Sequence, residues 1–244
     1  MRSDPFVRLA GVAGLLVPVL GIVINVVLLA PPPDPPSSLN APIADVVAYV
    51  IEKGEMLTLG HGLRYLTQVL GIIFAAGLYR LVQGPRDGAH RAWALVGLLS
   101  AFWVPAVGMV AQSLEGVAVW QARTLAEQPQ LAVALWGISN FLWNSILVPF
   151  SVLLLGFSLA GRGSGVFPAW LVALGLAAAA AGMLGAFVTA ATAGEGWAVP
   201  FVVFAVLLQP WLIVTSVRMI RSSRVPATAI SSGSTAETAL TPDQ

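Results

Sequence analysis

The chain has 244 residues, of which 57% are hydrophobic and 9% charged, with a formal net charge of +1. A soluble domain carries about 25% charged residues, so this composition excludes an ordinary soluble protein and points to a membrane protein. Cysteine is absent and histidine occurs twice, at His61 and His90, which excludes disulfides, thiolate metal sites, cysteine nucleophiles and a histidine-built metal centre. Eleven arginines stand against one lysine in a background rich in Ala, Gly, Val and Pro, as expected of a GC-rich bacterial genome.

A transmembrane helix needs about 20 mostly apolar residues. Six stretches qualify, near residues 7–30, 57–82, 92–113, 131–160, 168–191 and 198–220. The first is preceded by Arg2 and Arg8, like a secretory signal, but its apolar run is too long for one and is expected to be a retained span. Residues 31–36 are mostly proline and predict a stiff, extended segment. Pro42 then opens an amphipathic helix over about 43–54, with Ile43, Val46, Val47, Val50 and Ile51 on its apolar stripe. Leu114, Val117, Ala118 and Leu125 suggest a weaker one in the third connection. The fourth stretch exceeds one bilayer thickness, so it tilts or protrudes. Pro18, Pro105, Pro149 and Pro210 fall inside spans, where they are tolerated and can kink the helix. Residues 222–244 are rich in Ser, Thr, Ala and Pro and predict a disordered cytoplasmic tail. The expected fold is all-α, one six-helix membrane domain over 1–221.

Charge sets the expected orientation. Arg2, Arg8, Arg80, Arg86, Arg91, Arg162, Arg218, Arg221 and Arg224 flank one side of the spans, while Lys53 and Arg123 flank the other. The positive-inside rule places the nine-arginine side and both termini in the cytoplasm, in the bacterial cytoplasmic membrane. Trp93, Trp120, Trp170 and Trp197 lie near span ends, as an aromatic belt requires.

Arg64 fits none of these flanks. It lies inside the second span, where a charge costs roughly 2.5–3.5 kcal/mol on insertion scales and needs a partner or water. His61, Arg64 and Gln68 stand at i, i+3 and i+7 on one helical face. Asn140 and Asn144 are an i, i+4 pair close to Trp136 and Trp143, and Gln112 and Gln209 add polar groups in the third and sixth spans. Counted at 1.5 Å per residue, these side chains fall in the outer half of the bilayer or at its midplane. The spacing suggests an outward-facing polar cavity lined by His61, Arg64, Gln68, Gln112, Glu115, Asn140, Asn144 and Gln209, with Glu115 as the nearest counter-charge for Arg64. Arginine at the base of such a cavity favours a small anion or a lipid phosphate. The competing reading makes the Asn and Gln residues interhelical glue and lets Arg64 snorkel to the interface. His61 then serves an interhelical hydrogen bond, and His90 is a solvated flank.

Ala178, Gly182 and Ala186, spaced by four, and Gly11, Gly14 and Gly21 allow close helix approach, within the bundle or to a second copy. Several chemistries are missing. No His-Glu-x-x-His or Walker lysine occurs, the spans hold no pair of acids, and the basic residues are too dispersed for nucleic acid. Gly163-Ser164-Gly165 resembles part of a serine-nucleophile motif but is expected to have no histidine within reach, so it reads as a flexible turn.

The opening Arg8-Leu9-Ala10-Gly11-Val12-Ala13-Gly14-Leu15-Leu16 resembles the Arg-x-Ala-Gly-Leu-Leu start of a family of uncharacterised bacterial six-span membrane proteins, a domain of unknown function. Leu78-Tyr79-Arg80-Leu81, Leu153-Leu154-Leu155-Gly156 and Gly165-Val166-Phe167-Pro168 are similar to the end of that family's second span and to its turn before the fifth. The likeness covers about residues 7 to 220 and implies the six-span architecture. It brings no catalytic or binding residues, and the prolines at 31–36 and Arg64 depart from it.

The expectation for function is a non-enzymatic membrane protein, without cofactor or metal, that binds or passes a small anionic or amphiphilic ligand from the outer side. The alternatives are a structural or regulatory partner of another membrane protein, or a homo-oligomer, and an enzyme acting on lipid.

Overall fold

The computed structural model describes residues 4–28, 42–83, 88–121, 127–192 and 198–222. The proline segment at 31–36, Arg2, Arg86, Arg123, Arg224, Leu125, Glu195, Trp197 and the tail beyond 222 lie outside the described residues. The described chain is helical throughout and holds no strand. The helices are α1 (Pro5–Ile22), α2 (Ile43–Val82), α3 (Ala89–Trp120), α4 (Pro129–Ser145), α5 (Leu147–Gly163), α6 (Ala169–Ala191) and α7 (Ala198–Ser222). Taking α4 and α5 as one broken span, six segments are long and apolar enough to cross a membrane.

Local chemistry explains the ends and breaks. The Asp4 carboxylate caps α1 by accepting from the Phe6 amide at 3.1 Å, and its other oxygen pairs with Arg80 of α2. A π-helical turn over Val23–Leu28 follows α1, with the Asn25 side chain donating to the Gly21 carbonyl at 2.8 Å. The fourth apolar stretch breaks at Ile146. Pro149 has no amide hydrogen to offer the carbonyl four residues earlier, at Ser145, and the helix interrupts there. Gly165 holds a positive φ of 74°, reversing the chain after α5 so that the Phe167 amide reaches the Gly161 carbonyl at 3.0 Å. That is the role of the Gly163-Ser164-Gly165 turn. A histidine does lie beside it, since a Cβ at Gly163 would sit 2.7 Å from that of His90, but the His90 ring bonds the Gln83 carbonyl and Ser164 donates to the Gly161 carbonyl.

Two expected elements are corrected. The amphipathic helix at 43–54 is not separate from the second span; both belong to the 40-residue α2. Its buried stripe is Val46, Tyr49, Val50, Lys53 and Leu57, whereas Ile51 is exposed. Similarly, Leu114, Val117 and Ala118 continue α3 rather than starting a helix of their own. At 1.5 Å per residue α2 is about 60 Å long, twice the roughly 30 Å hydrocarbon core of a bilayer.

The helices close into a ring in chain order. α1 packs between α2 and α7, α3 against α2 and α5, and α6 against α5 and α7. Trp211 of α7 is fully buried at the centre, with edge-on contacts to Phe74 of α2 and Phe167 at 6.5 and 6.2 Å. The main core also holds Leu78, Leu154, Phe157 and Leu171, all fully buried. The small residues are consumed inside it: Gly11 approaches α7, Gly14 meets Phe74 and Ser216, and Gly182 meets Ser151 and Phe204. Gly156 of α5 faces Gly97 of α3 so closely that a Cβ there would lie 2.6 Å from the Gly97 nitrogen and 2.8 Å from the Trp93 carbonyl oxygen. Gly21 alone of the predicted small residues in α1 faces open space.

One end of the ring carries the arginines. Arg80, Arg91, Arg162, Arg218 and Arg221 lie at or near helix ends there. Arg218 donates to the Val166 carbonyl at 2.7 Å, and His90 bonds the Gln83 carbonyl at 3.1 Å, so His90 helps cap α2 and is half-buried rather than a solvated flank. At the opposite end α2, α3 and α4 rise together around a second small core of Val46, Tyr49, Val50, Leu57 and Trp136.

Candidate functional site

Glu115 stands at the junction between the ring and this three-helix extension. It is 5% exposed, which for a carboxylate demands that both oxygens be satisfied. Four side chains from two other helices supply the donors. On α2, His61 Nε2 lies 2.9 Å and Arg64 Nη1 3.1 Å from Oε2. On α4, Trp143 Nε1 donates to Oε1 at 2.6 Å and Ser139 Oγ lies 3.0 Å from it. The Ser139 hydroxyl has a single proton, which it shares between Glu115 and the Ala111 carbonyl, also at 3.0 Å.

Helical spacing produces this convergence. His61 and Arg64 are one turn apart on α2, and Ser139 and Trp143 one turn apart on α4, so each helix presents a pair to the same carboxylate. The pairing also fixes Arg64. Its guanidinium carbon sits 4.8 Å above the Trp143 ring, a cation–π contact, while the indole nitrogen of that same Trp is held by Glu115. Tyr49 braces the far side, stacking edge-on against Trp136 at 5.5 Å. The Arg64 side chain keeps 20% of its surface accessible, against 6% for Glu115.

The eight residues expected to line one cavity do not gather. His61, Arg64 and Glu115 meet directly. Gln68 lies one turn further toward the arginine end, its amide nitrogen pressed against Gly108 of α3. Gln112 is 1% exposed, and among the described residues neither its amide oxygen nor its amide nitrogen has a hydrogen-bond partner; the Gln68 oxygen is likewise buried and without a partner among them. The Asn144 amide turns back to the Asn140 carbonyl of its own helix at 2.9 Å. Gln209 belongs to α7, which makes no contact with α3 or α4 among the described residues. The polar groups therefore form a tight cluster on α2, α3 and α4, with an amide pair below it, rather than a chamber shared by all spans.

Sequence reasoning missed Ser139 as a member and noted Trp143 only as a neighbour of the Asn pair. The available signal was their i, i+4 spacing, on the same helix as the Asn pair that drew attention instead. Lys53, expected in an outer loop, is 7% exposed within α2. Among the described residues no three metal-ligating side chains converge.

Comparison of the chain with family models, curated proteins and solved structures returns no match, so the site is read from its own chemistry.

Proposed function

We propose that the protein is a non-enzymatic multi-pass membrane protein of the bacterial cytoplasmic membrane, with the arginine end in the cytoplasm and the Glu115 cluster near the outer boundary. In this reading Arg64 receives a small anionic or amphiphilic ligand from outside. The segregation of the arginines supports the orientation. Arg80 and Arg64 are separated by sixteen residues of helix, about 24 Å, so Arg64 lies a turn inside the outer edge of a core about 30 Å thick.

The observation that carries the ligand reading is the posture of Arg64. Glu115 takes one edge of the guanidinium, Trp143 takes one face, and a fifth of the side chain remains accessible. A guanidinium fixed in advance loses little entropy on binding an anion, and the neighbouring aromatic rings suit an apolar tail. The test is thermal unfolding of the detergent-solubilised chain with sulfate, phosphate or decanoate added. Stabilisation by at least one of these in the wild type, abolished in Arg64→Gln, is expected. The absence of a shift with all three overturns the reading.

A second reading, a structural subunit or partner of another membrane protein, is favoured by the saturation of Glu115, whose donors already tie α2, α3 and α4 together. The glycine and alanine faces that such a partner was expected to use are largely spent inside the bundle. An enzyme acting on lipid needs an activated nucleophile or paired acids at one boundary; the one hydroxyl of the Glu115 cluster, Ser139, bonds Glu115 and the Ala111 carbonyl rather than His61.

A further inference from the structure

At the arginine end, α6 and α7 bound an open groove of about 640 Å³ that the Glu115 site does not involve. Its size falls within the roughly 300–1,000 Å³ of small-molecule sites. Val214, Val217, Arg218 and Arg221 follow i, i+3, i+4, i+7 spacing and form one stripe of α7 along it. Trp170 of α6, 55% exposed, Leu81 of α2, Val166 and Ile213 complete the walls, and among the described residues no acid lines it.

The groove is polarised along the helix axis. Along α7 the groove runs from Ile213 and Val214, toward the middle of the helix, to Arg218 and Arg221 near its end, where Leu81 and Val166 also line it, with Trp170 at the level expected of an interfacial aromatic. This is the arrangement of a phospholipid in the adjoining leaflet, with tails toward the centre and phosphate at the boundary. Arg218 is held in place by its bond to the Val166 carbonyl, and Arg221, one turn on, is exposed. These two arginines, with no acid among the described lining residues, complement a headgroup carrying net negative charge and give no advantage to a zwitterion.

We infer that this groove is a binding site for one anionic phospholipid, with an acyl chain along Val214 and Val217 and its phosphate between Arg218 and Arg221. The inference rests on the membrane placement proposed above. That placement fails separately, if the full chain remains monodisperse without detergent.

Native mass spectrometry of the full chain from mixed micelles of phosphatidylglycerol and phosphatidylcholine tests it. One phosphatidylglycerol per chain is expected to survive activation that strips phosphatidylcholine. Arg221→Gln, at an exposed position, should weaken retention about fivefold. Val217→Trp, which fills the groove and leaves both charges, should abolish the preference, while Arg162→Gln should not change it. Equal retention of the two lipids, equal losses in Arg221→Gln and Arg162→Gln, or the same protection from inorganic phosphate alone overturns the inference.

Discussion

Glu115 links three helices through one carboxylate, and its energetics follow from what each donor leaves behind. Removing only one member of the Arg64–Glu115 pair strands a charge in low dielectric. Arg64→Leu is expected to destabilise the protein by roughly 3 kcal/mol, at the lower end for buried pairs because Arg64 keeps some exposure. The double variant Arg64→Leu with Glu115→Leu should be more stable than Arg64→Leu alone, since it removes the stranded carboxylate; unfolding midpoints in detergent measure both. Trp143→Phe preserves the ring under Arg64 but deletes the indole donor, and should cost about 1.5–3 kcal/mol, the range for a hydrogen bond to a charged group. Arg64 was legible in the sequence because a charge inside an apolar run has few explanations, and Glu115 because it was the nearest acid at the right depth. Ser139 and Trp143 were not. A serine and a tryptophan are ordinary in a span, and only the packing of α4 on α3 turns their polar atoms toward the carboxylate.

Apolar runs revealed the helices, but their joints depended on contacts. The expected outer helix ends near 54 and the second span begins near 57, which makes residues 54–57 a joint. In the fold α2 passes straight through them, because Lys53 turns inward and the acids point out. Pro149 signalled a kink, and the break falls where its missing amide predicts. Glycines divide into two kinds that sequence cannot separate. Gly156 lets the α5 backbone lie against that of α3, so Gly156→Ala must push two helices apart and should lower the unfolding midpoint markedly. Gly62, exposed on α2 with open space around its Cα, has no such duty. Gly62→Ala should leave the midpoint unchanged or raise it, by up to about 1 kcal/mol of helix propensity. The opposite signs of these two substitutions test the assignment of close packing to the α3–α5 seam.

The bundle as a whole is asymmetric from end to end. One end holds arginines, a groove and the exposed Trp170; the other carries a three-helix extension with a buried ion pair at its base. Composition alone implied the membrane class and the helices of the extension were read as separate pieces, but their joining was hidden because the shared core is only five buried side chains spread over α2 and α4. The asymmetry gives the proposed orientation, and with it the outward exposure of Arg64 on which the ligand reading depends. Because the chain has no cysteine, a single introduced thiol reports its position without background. Glu52→Cys lies on the exposed face of the extension and Arg162→Cys at the exposed arginine end. In intact cells a membrane-impermeant maleimide should label Glu52→Cys, and should label Arg162→Cys only after permeabilisation; the reverse pattern, or equal labelling of both in intact cells, would contradict an outward-facing Glu115 cluster.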